Sequence, residues 1–381
     1  MVQRHFWVKK INALWNERSI IWLCGVRRAG KTFLCGSISN TEYYDCELIS
    51  VRSKLEDPED FLKNNKNKRI IIDEIHKLAN PSELLKIAAD YFPDIKIIAT
   101  GSSTLGASKK FKDTLTGRKR ELYLTPMITD DLKDFKSQSL EHRFLHGGLP
   151  PMFLSKKFPE QDFQEWIDAF WAKDIQELFK VEKKFSFQKF MELLFMQSGS
   201  IFEATSFTKF CEANRQTINN YLTLLEETFV VNVVRPFHSG KSSEIIKAPK
   251  VYGFDTGFVS YFKRWNQLRA EDFGLLWEHF VLNEICAKLQ IHNICYWRDK
   301  RGHEIDFILS QRGGPPIVIE CKWKSGNYNL RNIELFRKHY PQGENYIVSS
   351  NEDKKFTKEV NGIKIHFVGI ENLIADILGK D

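Results

Sequence analysis

The chain has 381 residues, 42% of them hydrophobic, which is enough for two or three domains with cores of their own. No stretch approaches the roughly 18 apolar residues of a membrane span, and the start lacks the apolar segment of a secretory signal. Seven scattered cysteines without a C-x-x-C pair argue against structural zinc and a disulfide framework, and they favour a cytoplasmic protein. The net charge of +7 permits contact with nucleic acid without requiring it.

A phosphate-binding loop is predicted near the start of the chain. The stretch "IIWLCGVRRAGKTFL", residues 20–34, reads as an apolar strand, a glycine-rich turn and the beginning of a helix. It matches G-x-x-x-x-G-K-[ST], in which backbone N–H groups surround phosphates, the lysine meets the β and γ oxygens and the hydroxyl meets Mg²⁺. The helix adds the positive end of its dipole. The pattern therefore predicts ATP and Mg²⁺ as ligands of Gly25, Val26, Arg27, Arg28, Ala29, Gly30, Lys31, Thr32 and Phe33.

Two further strands are predicted to end in polar residues. "RIIIDEIHKL", residues 69–78, ends in Asp73, a candidate Mg²⁺ ligand, and Glu74, a candidate base for the attacking water. "IKIIATGSS", residues 95–103, ends in Thr100 and Ser102, either of which could hydrogen-bond the γ-phosphate or the water. Strands that alternate with helices and carry ligands at their carboxyl ends predict a doubly wound α/β domain.

The basic segment "KKFKDTLTGRKRE", residues 109–121, leaves two interpretations open. Arg118 is a candidate for sensing or stabilising γ-phosphate charge, in its own subunit or in a neighbouring copy of a homo-oligomer. A solvated basic loop is the other interpretation of the same residues.

The middle of the chain, residues 129–197, is predicted to be mostly helical, with aromatic residues spaced as on a buried helix face. In "HGGLPP", residues 146–151, the Gly-Gly and Pro-Pro pairs predict a turn without helix. Residues 205–237 then predict two helices and a strand, and "HSGKSS" with "EIIKA" predicts a two-stranded wing. Such a winged helix often binds DNA. A structural or protein-docking role is equally open, because only one positive charge lies on the exposed helix face of Arg215, Gln216, Asn219 and Asn220.

A hairpin in the last third aligns charged residues on one face. In "EIDFILSQRGGPPIVIECKWK", residues 304–324, strand alternation puts Asp306 with Glu304, and Glu320 with Lys322. An earlier helix, residues 274–290, carries Glu278 in line with its apolar stripe, where a carboxylate without a partner is costly. The predicted elements follow the order α-β-β-β-α-β.

This order and these residues resemble the core of PD-(D/E)XK nucleases. Cleavage of a phosphodiester needs a divalent metal, and Asp306 and Glu320 are hard oxygen ligands suited to Mg²⁺. Lys322 could position or deprotonate the water, and Glu278 would complete the metal's surroundings. An ordinary Glu–Lys ion pair on a half-exposed sheet is the alternative, and a nuclease-like fold can also persist as a docking module that does not cut.

Over nearly its whole length the chain resembles prokaryotic AAA+-type ATPases with a C-terminal domain of unknown function. The matching motifs include "GVRRAGKT", "IIIDEIHKL", "HGGLPP", "KVYGFDTGF", "YWRDKRGHEIDFI" and "IVIECKWK". The resemblance implies ATP binding and hydrolysis, a winged helix and a nuclease-like C-terminal fold. Our first hypothesis is an Mg²⁺-dependent ATPase acting on or near DNA, with a nuclease-like module that cleaves DNA. The alternative is a nucleotide-controlled switch that docks DNA or a protein without cutting. The expected α/β architecture comprises an ATPase domain at 1–135, a helical linker at 136–198, a winged helix at 199–248 and a nuclease-like domain at 249–381.

Overall fold

The protein is described from a computed structural model. The structure describes residues 2–101, 109–137, 139–176, 179, 181, 183–237, 248–310, 314–326, 328, 330–352 and 354–379. The chain forms two compact units. The first contains residues 1–140, 148–184 and 223–230, and the second contains residues 141–147, 185–222 and 231–381. Among the described residues, no helix is long and apolar enough to cross a membrane.

The first unit is built on a parallel sheet of five strands. These are β1 (Ile20–Cys24), β2 (Thr41–Asp45), β3 (Arg69–Asp73), β4 (Lys96–Thr100) and β5 (Lys119–Tyr123), in the spatial order β2-β3-β4-β1-β5. The central strands are rich in isoleucine and buried on both faces, as parallel strands are when helices cover both sides. All five carboxyl ends lie at one edge, so the polar residues that follow β1, β3 and β4 meet there. The prediction of a doubly wound α/β domain is confirmed.

Short helices surround this sheet. They cover His5–Glu17, Lys31–Gly36, Ile49–Lys54, Pro58–Lys63, Pro81–Tyr91, Lys109–Leu115, Thr129–Asp134, Pro150–Phe153 and Glu160–Ala169, with a 3₁₀ turn at Ile75–Lys77 and a π-helix at Phe170–Gln176. The prediction that "HGGLPP" contains no helix is wrong at both ends. His146 is the last residue of a helix, and Pro150 is the first residue of another. Proline suits that first position because its fixed φ is helical and its missing N–H would have no helical partner.

The second unit contains a mixed sheet of nine strands. They are β6 (Ser200–Ile201), β7 (Val231–Pro236), β8 (Lys250–Gly253), β9 (Cys295–Arg298), β10 (Glu304–Leu309), β11 (Ile317–Lys322), β12 (Asn345–Ser349), β13 (Phe356–Val360) and β14 (Ile363–Val368). Their spatial order is β13-β14-β12-β11-β10-β9-β7-β8-β6. The remaining helices cover Leu140–His146, Lys184–Met196, Ala204–Thr208, Arg215–Glu227, Thr256–Phe262, Asp272–Leu289, Arg331–His339 and Ile370–Leu378. The last residues of Arg215–Glu227, from residue 223 on, belong to the first unit.

Two parts of this sheet correspond to predicted patterns. The helix Asp272–Leu289, strands β9 to β11, the helix Arg331–His339 and β12 follow the expected order α-β-β-β-α-β. Earlier in the chain, two short helices precede the antiparallel pair β7–β8, and β8 also pairs with β6. β7 pairs in parallel with β9, so this hairpin is continuous with the C-terminal strands. The predicted wing turn, residues 238–247, lies outside the described residues.

The buried side chain of Arg337 forms hydrogen bonds to the loop that leads into β12. Arg337 is 5% exposed, and its Nε donates a hydrogen bond of 2.6 Å to Asn345 Oδ1. Burial lowers the pKa of Arg337 to about 10. Its remaining N–H groups donate to four backbone carbonyl oxygens, those of Pro316, Tyr340, Gln342 and Glu344.

Candidate functional site

The predicted phosphate loop is a tight turn between β1 and the helix Lys31–Gly36. Gly25 and Gly30 have φ angles of +144° and +95°, which residues other than glycine rarely adopt. A Cβ atom at Gly25 would lie 2.4 Å from the carbonyl oxygen of Leu124. Glycine is therefore required at the start of the loop both by conformation and by space.

A cavity of about 840 Å³ opens beside this loop in the first unit. This volume suits a ligand of the size of a nucleotide. The loop and Glu74 supply charged groups to its wall, and the side chains of Phe33, Trp166 and Phe170 supply aromatic surface. A triphosphate and a base would thus each find matching chemistry in the cavity.

Lys31 lies folded back on the loop. Its Nζ donates hydrogen bonds of 2.9 Å and 3.1 Å to the carbonyl oxygens of Gly25 and Val26. Burial lowers the pKa of Lys31, and the charge of Glu74 opposes this effect. Phosphate oxygens would offer Nζ charged acceptors in place of two neutral carbonyls, and such charge-assisted hydrogen bonds are stronger.

Three hydroxyl groups converge on Asp73 at the end of β3. Thr32 Oγ1 donates a 2.9 Å hydrogen bond to Asp73 Oδ2, and Thr100 Oγ1 donates to Oδ1. The structure thus brings together three residues that the sequence analysis selected separately. The third hydroxyl, from Tyr43 on β2, also donates to Oδ2. The pKa of Tyr43 is raised, mainly by burial and to a smaller extent by the Asp73 carboxylate. Tyr43 was missed, although the β-prone residues "TEYYD" indicate a strand.

Glu74 follows Asp73 in a strained backbone conformation. Its φ of +53° is uncommon for a residue other than glycine and is a feature of functional sites. Its N–H donates to Thr100 Oγ1 at 3.2 Å, and its Oε2 lies 3.1 Å from Nδ1 of His76. The hydrogen bond with His76 lowers the pKa of Glu74, although burial opposes it. Glu74 is therefore a carboxylate at neutral pH on the wall of the cavity.

The two arginines of the loop pair with acids of the helical segment 160–176. Arg27 Nε lies 2.8 Å from Asp174 Oδ2, and Arg28 Nη2 lies 3.7 Å from Glu165 Oε2. Trp166 Nε1 donates to the carbonyl oxygen of Arg27 at 2.9 Å. These contacts hold Arg27 and Arg28 against the helical segment beside the cavity, and their contact with ATP stays a prediction.

Arg118 lies at the opposite edge of the sheet from the phosphate loop. It precedes β5, whose first residue is level with Ile20 at the start of β1, whereas the loop follows the end of β1. Five residues of strand separate the two edges by roughly 17 Å. The guanidinium makes hydrogen bonds of 2.7 Å and 3.1 Å to Asp90. The structure does not bring Arg118 to the loop of its own chain, and Ser102 lies outside the described residues.

A second group of predicted residues lies in the second unit. Asp306 on β10 and Glu320 on β11 are 8% and 5% exposed, so their face of the sheet is covered. Asp306 Oδ2 accepts a 2.8 Å hydrogen bond from the N–H of Cys321, and Lys322 Nζ donates to Glu320 Oε2 at 3.0 Å. Glu320 Oε1 is buried and has no hydrogen-bond partner. Burial, and then the charge of Asp306, raise the pKa of both Glu278 and Glu320 to about 8.

Strand β8 adds two residues that the sequence analysis missed. Lys250 Nζ donates to Glu304 Oε1 at 2.7 Å, and Tyr252 Oη donates to Glu278 Oε2 at 3.2 Å. Burial alone would lower the pKa of Lys250, but the charges of Glu278, Glu304 and Asp306 raise it overall. The alternation in "KVYGF" shows that the two side chains share a face, but it does not show which acids they meet.

Mg²⁺ binds hard oxygen donors, and both groups of residues offer such oxygens. In the part of the chain that the structure describes, no three His, Cys, Asp or Glu side chains are grouped as ligands of one metal ion. Mg²⁺ commonly takes only one or two carboxylates and keeps several waters. Asp73 with Thr32 fits this need in the first unit. Asp306 with the unpartnered Oε1 of Glu320 fits it in the second.

The parallel sheet and the glycine-rich loop after its first strand are those of a P-loop domain. Residues 17–132 match the family model of an AAA domain, which confirms the predicted family for this part of the chain. Residues 137–269 and 273–368 match two domains of unknown function, DUF8612 and DUF4143. The expectation of a C-terminal domain without a known role is therefore confirmed as well.

The chain is similar to uncharacterized proteins of Mycobacterium bovis and Mycobacterium tuberculosis. Each is 23% identical over 327 residues, which cover 83% of this chain and 73% of the relative. Among solved structures, a Walker-type ATPase of Pyrococcus abyssi is 15% identical, with a TM-score of 0.44, over 69% of this chain and 96% of its own. The activity has to be inferred from the residues of the two sites.

Acid is expected to destabilise the second unit through His279. Burial lowers the pKa of His279 to about 4, from an ordinary value of 6.5. Its ring nitrogens bond Ser198 Oγ at 2.7 Å and the carbonyl oxygen of Leu275 at 2.8 Å. Between pH 6.5 and pH 4 the unfolded chain binds a proton that the folded chain does not, so stability falls as the pH falls. The loss over this window is about 3 kcal/mol.

Urea unfolding of the wild type and of His279→Gln at pH 7 and pH 4.5 measures this loss. The wild type should lose more stability than the variant on going to pH 4.5. Only in the wild type does the unfolded chain take up a proton at residue 279 that the folded chain does not bind. Equal losses in the two proteins would contradict the assignment.

Proposed function

We propose that the protein is an Mg²⁺-dependent ATPase. The observation that carries this proposal is the contact of Thr32 and Thr100 with Asp73, directly beside the carboxylate of Glu74 on the cavity wall. These residues come from three separate segments, and a hydroxyl, an acid and a base at one point are the groups that hydrolysis of a γ-phosphate requires. The matched AAA domain supports the same conclusion.

Each residue has a role that its geometry suits. Lys31 would exchange its two loop carbonyls for β- and γ-phosphate oxygens, and the N–H groups around Gly30 would surround them. Thr32 and Asp73 would hold Mg²⁺, which when bound neutralises charge on the phosphates. Thr100 fixes the Asp73 carboxylate from the other side. Glu74 is deprotonated at neutral pH and can take a proton from the attacking water.

Replacing Lys31 by alanine tests nucleotide binding. We expect the affinity for Mg²⁺–ATP to fall by about 10- to 100-fold, because charge-assisted hydrogen bonds to the phosphates are lost. Calorimetric titration of the wild type and the variant measures this change. Lys173→Ala removes an exposed lysine from the same cavity and should bind ATP as the wild type does. Unchanged affinity in Lys31→Ala would contradict the proposal.

We also infer that the second unit contacts DNA by means of a winged helix. The helices Ala204–Thr208 and Arg215–Glu227 followed by the antiparallel pair β7–β8 support this inference, as does the pairing of β8 with β6. Arg215, Gln216 and Asn220 are exposed on the second helix. These side chains can meet phosphates and base edges.

A second candidate function is cleavage of phosphodiesters in the second unit. The observation that favours it is the buried Oε1 of Glu320, which lacks a hydrogen-bond partner although Asp306 and Lys322 surround that carboxylate. A divalent cation would satisfy this oxygen, and Lys322 is close enough to Glu320 to orient a water there. The alternative is a nucleotide-controlled switch that docks DNA or a protein without cutting.

A cleavage assay separates these two possibilities. Labelled duplex, single-stranded and branched DNA would be incubated with the protein and Mg²⁺ or Mn²⁺, with and without ATP. We expect Lys322→Ala to cut about 10²-fold more slowly than the wild type, because a group that orients or deprotonates the water is lost. Lys324→Ala, an exposed lysine two residues along, is the matched control. DNA binding without cutting by the wild type would favour the docking alternative.

A further inference from the structure

The acidic site of the second unit contains a buried lysine side chain, that of Lys250. Lys250 on β8 has a side chain only 5% exposed, and its Nζ lies 2.7 Å from Glu304 Oε1. Glu304 and Asp306 are two residues apart on β10, so their side chains share one face of the strand. On β8, Tyr252 shares a face with Lys250 and bonds Glu278. A buried lysine therefore lies among the acids that a metal ion would approach.

The charges around this site show why Lys250 differs from the other cations. Arg298 Nη1 lies 3.1 Å from the second oxygen of Glu304, and its side chain is 36% exposed. Lys322 forms an ion pair with Glu320, and the side chain of Lys322 is 41% exposed. Both can move toward solvent. Lys250 cannot do so without leaving its buried position, so its charge is a fixed part of the site.

We propose that Lys250 is a positioning residue that acts as the internal counter-ion of this acidic site and competes with a hard divalent cation for it. The proposal rests on the metal site proposed above and concerns its affinity and occupant. The donors are carboxylate oxygens, which select Mg²⁺, Mn²⁺ or Ca²⁺ over softer metals. A fixed positive charge near these oxygens repels such an ion, and water and salt screen this repulsion weakly at a buried position.

The unpartnered Oε1 of Glu320 is the atom that a divalent cation would contact in this competition with Lys250. Among the described residues of this acidic site, it is the one oxygen that is buried without a hydrogen-bond partner, and no lysine or arginine donates to it. Lys250 thus balances part of the negative charge and leaves an acceptor for a cation. The result is a site that binds divalent cations weakly while Lys250 is in place.

Calorimetric titration of Mn²⁺ into the full-length protein tests the proposal. We expect Lys250→Met to bind Mn²⁺ at least about tenfold more tightly than the wild type, since one fixed charge is removed. Lys250→Arg keeps the charge and should stay within about threefold of the wild type. Lys250→Gln retains a hydrogen-bond donor for Glu304 and provides the same test if the methionine variant fails to fold.

Two further variants assign the binding to this site. Asp306→Asn combined with Lys250→Met should lose the tight Mn²⁺ binding, which separates it from binding at the phosphate loop. Lys355→Met removes a 41%-exposed lysine paired with Asp376 elsewhere in the unit and should leave the affinity unchanged.

The possible results separate failure of the counter-ion role of Lys250 from failure of the metal site itself. Mn²⁺ binding by Lys250→Met that is equal to or weaker than that of the wild type overturns the counter-ion role, including the case in which neither protein binds. Tight binding by Lys250→Met that the added Asp306→Asn leaves unchanged refutes the metal site itself. Tight binding by Lys250→Met, lost again on replacing Asp306, supports both.

Discussion

Replacing Glu74 by glutamine is expected to lower kcat for ATP hydrolysis by about 10²- to 10⁴-fold, the usual contribution of a general base. Glutamine has nearly the same shape but cannot take a proton from water. ATP affinity should change little, since Lys31, Thr32 and Asp73 stay in place. The substitution changes only the end of the side chain, so the comparison isolates the carboxylate. Phosphate release and ATP titration on the same preparations measure the two quantities.

Glu47→Gln is the matched control for this experiment. Glu47 also lines the cavity, but its side chain is exposed and lies outside the cluster around Asp73. We expect this variant to hydrolyse ATP at the wild-type rate. Full turnover by Glu74→Gln would show that another group accepts the proton and would remove Glu74 from the mechanism.

Replacing Arg337 by methionine is expected to lower the free energy of unfolding by about 3 to 5 kcal/mol. Methionine fills a similar volume but makes none of the hydrogen bonds to the surrounding carbonyl oxygens. These carbonyl oxygens accept from a guanidinium that is itself buried, and they would lose that donor. A Cβ at neighbouring Gly343 would lie 2.1 Å from the carbonyl oxygen of Pro316, so the backbone here has little room to rearrange.

Urea unfolding of Arg337→Met and of Lys338→Met provides the measurement. Lys338 is the next residue of the same helix and is exposed, so its variant should change stability by less than about 0.5 kcal/mol. A loss of the same small size in Arg337→Met would show that water replaces the arginine at the loop.

The parts of the site that were predictable are those with a local signature. Gly25, Gly30 and Lys31 follow from a loop that has to curl around phosphates, and Asp73 follows from a strand that ends at the same edge. Tyr43 and Lys250 could not be found in this way. Tyr43 reaches the site from the neighbouring strand β2, whereas Lys250 lies on β8, with β9 and β7 between it and β10 in the sheet. Alternation along a strand shows which residues share a face but not which other strands their side chains meet.

A similar limit explains the error at "HGGLPP". Proline interrupts a helix from within but begins one readily, and the local sequence does not state which position Pro150 occupies. Glu278 was placed correctly on its helix from spacing alone. Its partner Tyr252 depends on the antiparallel pairing of β8, a contact that distant segments of the chain make.

The continuity of β7 with β9 limits how this protein can be divided for study. A fragment ending at residue 248 would lack β8 and β9, so β7 would lose the partner strands on both of its edges. Exposed strand edges pair with other chains and promote aggregation. A fragment starting at residue 249 would in turn carry β8 without β7, with Lys250 on an unsupported strand. The second unit also includes residues 141–147, and its last two segments are joined by residues 223–230 of the first unit, so assays of the second unit should use the whole chain.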